Sequence, residues 1–392
     1  MRKTAVHFGA GSIGRGFLGQ LYHESGYHTV FIDVEKEVVT ALNARRSYPI
    51  DIVSEEETER VMVRNVSAVN GRDTEAAATA LADADIASTA VGVNALPHIA
   101  PVIARAIVRR FAEHDAPALD IILCENVKNG AAYMRKLVAE QLPQAYHARL
   151  DDSVGFVEAS IGRMVPVMSA DQKTSDPLLV CVEPYCELPV DAAGFKGPVP
   201  AIAYMEPTQH FAAYVERKLF VHNLTHATTA YLGYRQGYTY IYEAIRDPMV
   251  RRVVEGAGRE SCAALTRKHG LDADALVAHV EDLVSRYHNT ALADQIARVG
   301  RDPVRKLGRD DRLIGAARLC VAQGIEPRHI ATATAAALLF DAPDDPTAGQ
   351  VQSLLADGGV AAVLREICEI EPETPFGMLI SKAYGELQNS KG

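Results

Sequence analysis

The sequence predicts a two-part protein: an α/β half built on a parallel sheet, followed by a mainly α-helical half. Three observations carry this. TAVHFGAGSIGRGFLGQLYHESG, near the start, runs from a short strand through a glycine turn into a helix. ADIASTAVGVNALPHIAPVIARAI and DIILCENVKNGAAYMRKLVAEQL then repeat the strand, loop, helix rhythm. From about Gly197 the apolar residues keep helical spacing almost to the end. The 392 residues exceed one ordinary core, and we place the division between 1–196 and 197–392.

The first strand, Thr4–Phe8, runs straight into Gly9-Ala10-Gly11-Ser12-Ile13-Gly14. Ile13, Phe17, Leu18 and Leu21 then follow helical spacing up to a stop at Gly26. A second strand, HTVFID, ends in Asp33, 19 residues after Gly14. A lone GxGxxG says little. Between strand and helix, with an acidic residue closing the next strand, it is specific for a dinucleotide. Gly9 allows the tight turn, Gly11 lets the backbone approach a pyrophosphate, and Gly14 lets helix and strand pack closely. The helix N-terminus offers N–H groups and positive dipole to the phosphates. Asp33 accepts from the adenosine ribose and repels a 2′-phosphate, favouring NAD over NADP; FAD shares the fingerprint.

The first half is therefore an α/β Rossmann-type dinucleotide-binding domain with extended sheet. Its candidate cofactor contacts are Phe8, Gly9, Ala10, Gly11, Ser12, Ile13, Gly14, Arg15 and Asp33. Thr89, Val91, Asn94 and Asn126 join them on loops at the C-terminal ends of later strands, where open α/β sheets take ligands. After about Asp151, VGFVEASIGRMVPVM and PLLVCVEPYCELPVD read as strands interrupted by Pro166, Pro177, Pro184 and Pro189, extending the sheet.

Apolar residues make up 48% and charged residues 23%, a soluble globular mix. The net charge of −10 argues against a nucleic-acid or acidic-membrane partner. No signal peptide and no stretch of roughly 20 apolar residues is visible. The six cysteines lack CxxC spacing and read as reduced thiols in a cytoplasm. A small-molecule partner remains.

Helices are predicted over Ala212–Arg235, Ile241–Lys268, Asp272–Tyr287, Arg312–Gln323, His329–Phe340, Ala348–Ala356, Val360–Glu369 and Phe376–Leu387. The first carries ERKLFVHNLTH. On a continuous α-helix, Lys218, His226 and Asn223 fall at roughly 0°, 80° and 140°, one broad face. His222 and His226 have zinc-like spacing, but Asn223 stands where a metalloprotease needs its carboxylate, so the metal reading fails on its chemistry. Alcohol oxidation explains the residues better. Lys218, with a pKa lowered by burial, takes the hydroxyl proton, while Asn223 and His226 donate hydrogen bonds to the developing alkoxide. No metal is required.

Together with FGAGSIGRGF, TAVGVN, CENVKNGA, GFVEASIGRMVP, CVEPYCELPVD, RYHNTALADQIARVGRDPVRKLG and DDRLIGAARL, this stretch resembles the polyol-specific long-chain dehydrogenases, the mannitol dehydrogenase family. The resemblance spans nearly the whole chain. It implies metal-independent, reversible oxidation of D-mannitol 1-phosphate to D-fructose 6-phosphate with NAD. It also places the family's catalytic lysine, asparagine and histidine on Lys218, Asn223 and His226, and suggests a monomer or weak homodimer. Two positions depart from the family: Glu158 replaces a second asparagine, and Gly162 an aspartate. An ionised Glu158 repels an alkoxide, so it pairs with Lys218, is protonated, or is an ordinary strand-end carboxylate.

For the phosphate, the preferred candidates are Arg305 and Lys306 within RDPVRKLGRDDR; Arg286 with Asn289 in RYHN is a second pair, for sugar hydroxyls or phosphate. Arginine suits phosphate through its planar fork. Against the first pair, Asp302, Asp310 and Asp311 are interleaved and neutralise the run. Two other functions stay open: a sibling acting on a free polyol or hexuronate, and a protein that senses NAD without catalysis.

Overall fold

The computed structural model describes residues 3–112, 116–127, 129–166 and 176–389. It divides into two compact units, Met1–Phe211 and Ala212–Gly392.

In the first unit, β1 (Thr4–Phe8) and β2 (His28–Asp33) form over the predicted residues. With β5 (Val66–Asn70), β6 (Ile86–Thr89), β7 (Leu119–Leu123) and β8 (Val154–Glu158) they make a six-stranded sheet in the order β5-β2-β1-β6-β7-β8. Every pairing in it is parallel. The order reverses beside β1, and in such sheets the crevice at the reversal is where a ligand binds. Burial explains why the strands read as apolar runs: β6 and β7 are buried at every position. Phe17, Leu18, Leu21 and Tyr22 on the following helix are fully buried against this sheet, each worth about 1.5–3 kcal/mol.

Of the later predicted strands, only β8 extends the main sheet. The hairpin of β3 (Ser47–Val53) and β4 (Thr58–Arg64) pairs with β9 (Val180–Val182) in a separate three-stranded sheet. β10 (Leu188–Asp191) pairs with β11 (Met205–Thr208). That pairing keeps residues 197–211, expected in the second part, with the first. The end of the predicted stretch VGFVEASIGRMVPVM, Val167 and Met168, lies outside the described residues.

The second unit is helical among its described residues. The predicted helix Ile241–Lys268 is two helices, Ile241–Ala244 and Pro248–His269. Asp247 ends the first and caps the second, accepting from the N–H groups of Met249 (2.7 Å) and Val250 (3.3 Å), and proline is tolerated at the first helical position. The two segments predicted on either side of residue 359 form as two helices within Pro346–Glu366, separated at Gly359, whose φ of 65° and ψ of −164° lie outside the helical region.

Candidate active site

The glycine loop has the local reasons for its glycines. Gly9 sits at φ 98°, and a Cβ there would lie 2.6 Å from the Ala90 carbonyl oxygen. A Cβ on Gly14 would overlap the Gly9 carbonyl and stand 2.7 Å from His7 Nε2. Around Gly11 a Cβ would meet nothing within 4 Å, so the loop is open on the side where a phosphate needs the backbone. Gly11 and Ser12 are exposed, whereas the Phe8 and Ala10 side chains are buried.

Asp33 reaches back to this loop. Its carboxylate accepts from the Ala10 N–H at 2.5 Å and the Glu35 N–H at 2.9 Å. Arg15, predicted as a cofactor contact, is turned inward: its guanidinium donates to the carbonyls of Ala10 (2.6 Å), Pro177 (3.3 Å) and Leu178. It clamps the loop to a neighbouring segment. The Thr89 hydroxyl and the Val91 N–H are both engaged by Glu125, at 2.6 and 3.0 Å. That buried carboxylate, which sequence reasoning passed over as a contact, fixes the loop after β6 and leaves Asn94 and Asn126 exposed.

Glu158 ends β8 and meets a helix N-terminus. Its Oε1 accepts from the Ala131 N–H at 3.0 Å, in the first turn of the helix Gly130–Gln141. That helix has no side-chain cap of its own, and a carboxylate is favourable at a helix N-terminus.

In the second unit the structure corrects the helix around Lys218. Residues Phe211–Arg217 and Asn223–Arg235 are α-helical, but Lys218–His222 between them form a π turn. The Asn223 N–H donates to the Lys218 carbonyl, five residues back. The wider turn brings Lys218 and Asn223 nearer to one face than the offset of about 140° on a continuous α-helix allows. His226, three residues further, lies on the next α turn of the same face. Such single wide turns are rare and concentrate at functional sites. All three side chains are half-buried.

Around them lies a set of groups from distant sequence. The His226 ring stacks on Tyr287, with centroids 5.2 Å apart and planes at 14°. Its Nε2 is 2.9 Å from Asp294 Oδ2, a close contact that is not aligned as a full hydrogen bond. Burial pushes the Asp294 carboxyl up, yet His226 and Arg298 outweigh it and hold it below its usual value. His222, fully buried, is held far below the ordinary imidazole value by burial first, then by the charges of Arg286, His226, Lys218 and His279. It is neutral near pH 7, its ring edge-on to His226 at 6.3 Å. Among the described residues, no three His, Cys, Asp or Glu side chains are grouped to hold a metal ion.

The phosphate candidates separate. Arg286, nearly buried, pairs with Asp282 at 3.4 Å, and its charge also acts on His222. Asn289 is also buried, its Oδ1 accepting from the Ala291 N–H at 3.0 Å. Arg305 is ion-paired with Asp302 (2.8 Å) and Asp311 (3.2 Å), as the interleaved aspartates allow. Lys306 is buried and donates to the Arg301 carbonyl.

Residues 3–204 match the family described as "Mannitol dehydrogenase Rossmann domain", and residues 210–389 "Mannitol dehydrogenase C-terminal domain". The chain is 40% identical over 388 residues to a mannitol-1-phosphate 5-dehydrogenase of Brevibacillus brevis, covering 99% of each. It is 38% identical to that of Bacillus subtilis, over 97% of this chain and 100% of the relative. Two solved structures share the fold. One is the Pseudomonas fluorescens mannitol 2-dehydrogenase in ternary complex with NAD and D-mannitol (TM-score 0.73, 21% identity, 99% and 92% coverage). The other is a substrate-free D-sorbitol dehydrogenase (TM-score 0.84, 16% identity, 100% and 94% coverage). With both family models together matching nearly its whole length, the chain belongs to the mannitol dehydrogenase family.

Proposed function

We propose that the protein catalyses the NAD-dependent, metal-independent and reversible oxidation of D-mannitol 1-phosphate to D-fructose 6-phosphate. The π turn over Lys218–His222 supports this reading, because it brings Lys218 and Asn223 nearer to one face of one helix than an α-helix would. The names of the two relatives at 40% and 38% identity support the substrate.

NAD, when bound, supplies the hydride acceptor. The open space at Gly11, the close packing at Gly14 and the acid at the end of β2 fit a dinucleotide. Lys218 takes the proton from the reacting hydroxyl and, as an ammonium, returns it in the reverse direction. Asn223 and His226 hold the alkoxide end of the substrate, the amide N–H donating to the oxygen as charge builds. Arg286 and Asn289 are assigned to the phosphate or the sugar hydroxyls.

The test is NADH consumption by the purified protein with fructose 6-phosphate, against fructose and fructuronate, with a chelator present throughout. Turnover on fructose 6-phosphate is the expected result. Activity confined to fructose or fructuronate would keep the lysine, asparagine and histidine but discard the phosphate; loss of all activity with the chelator would return His222 and His226 to consideration as metal ligands.

A further inference from the structure

We infer that Asp294 is a positioning residue that fixes the His226 ring with Nδ1 toward the substrate, so that neutral His226 accepts a hydrogen bond from a hydroxyl beside the reacting carbon. The inference rests on the reading of Lys218, Asn223 and His226 as the reacting site, and it divides their labour.

A neutral imidazole carries one N–H, and the partner of one nitrogen decides what the other offers. Asp294 Oδ2 stands 2.9 Å from Nε2. An ionised carboxylate only accepts, so the nitrogen facing it carries the proton, and Nδ1 presents its lone pair. The carboxylate is well anchored. Its Oδ1 accepts from Arg298 Nε at 3.0 Å, and its backbone carbonyl accepts from the Ile241 N–H at 2.9 Å. The ring is also held flat against Tyr287. The Tyr287 hydroxyl meets Thr225 Oγ1 at 2.9 Å and donates to the His222 carbonyl at 3.2 Å.

Several charged and titratable groups face the ring. Lys218 and His222 lie on its own helix, with His279, Arg286 and Tyr287 on Ala273–Tyr287 and Asp294 and Arg298 on the segment after it. Oxidation gives Lys218 a proton, and a second cation alongside is disfavoured. The alkoxide is then served by Asn223, and His226 reads a neighbouring hydroxyl. The site thereby selects polyols over simple alcohols, since a site built to bond a hydroxyl discriminates strongly against an analogue that lacks it.

The experiment combines 15N NMR of the His226 tautomer in the full-length protein with kinetics of Asp294→Asn on fructose 6-phosphate and NADH. The expected tautomer near neutral pH is Nε2–H. In Asp294→Asn, kcat/KM for fructose 6-phosphate falls roughly 10–100-fold, the range seen when the carboxylate partner of a metal-bound histidine is removed. KM for NADH holds, and the Nε2–H tautomer signature is lost. A merely structural aspartate would lower the melting temperature and leave kcat/KM of the folded variant and its tautomer signature as in wild type. An Nδ1–H tautomer in wild type, or wild-type kcat/KM in Asp294→Asn, overturns the inference. If the variant does not fold, the wild-type tautomer decides. If wild type does not reduce fructose 6-phosphate, the proposed reaction fails while the tautomer still tests the ring's orientation.

Discussion

The Asn223 N–H donates to the Lys218 carbonyl across a π turn, and this one hydrogen bond sets the geometry of the candidate site. Five residues apart, the two would diverge on an α-helix. Here the wider turn brings them nearer to one face.

Asn223→Ala should therefore remove the neutral donor for the alkoxide and leave the fold intact, since the side chain is only half-buried. We expect kcat to fall about 10²–10³-fold, as for loss of one donor at a developing oxyanion. Steady-state kinetics with a melting curve checks this. A fall in KM-dependent binding alone, with kcat unchanged, would assign Asn223 to ground-state binding.

Gly14→Ala and Gly11→Ala should fail differently. The Gly14 Cβ overlaps the Gly9 carbonyl and crowds His7, and overpacking of this kind costs about 1–3 kcal/mol. Gly14→Ala should melt earlier and bind NADH poorly. The Gly11 Cβ enters open space, so Gly11→Ala should melt like wild type while KM for NADH rises. Calorimetry beside cofactor titration separates the two.

Lys306 gives a pH signature. Burial, helped by Arg312 and Arg305, pulls its ammonium down from 10.5 to about 7. Between these values the unfolded chain holds the extra proton, so stability rises as pH climbs from 7 to 10.5, and below 7 the whole penalty stands. Relative to wild type, Lys306→Met should gain most below pH 7 and lose that advantage toward pH 10, a swing on the order of a few kcal/mol. Denaturant unfolding at several pH values measures it; a pH-independent difference contradicts it.

Much of the first unit was legible because its signals are local. The strand, glycine turn and helix, and the acid at Asp33, lie within one short stretch, and each glycine has its own steric reason. Lys218, Asn223 and His226 were legible as residues but not as a geometry. Helical periodicity assumes 100° per residue, and nothing in KLFVH announces a wider turn. Asp294 and Tyr287 were illegible as partners of His226, because both meet it from more than 60 residues away. Glu125 was hidden for the same reason, 36 residues from Thr89. Arg305 and Lys306 show what a basic run leaves out: the interleaved aspartates pair with Arg305, and the Arg301 carbonyl accepts from Lys306.

The most direct test of the central claim is Lys218→Ala, measured for both turnover and NADH binding. With Lys218 as the proton acceptor, kcat should fall about 10²–10⁴-fold while the Kd for NADH stays near that of wild type. Turnover within a few fold of wild type, or loss of NADH binding alongside loss of turnover, would contradict the assignment of Lys218 as the general base.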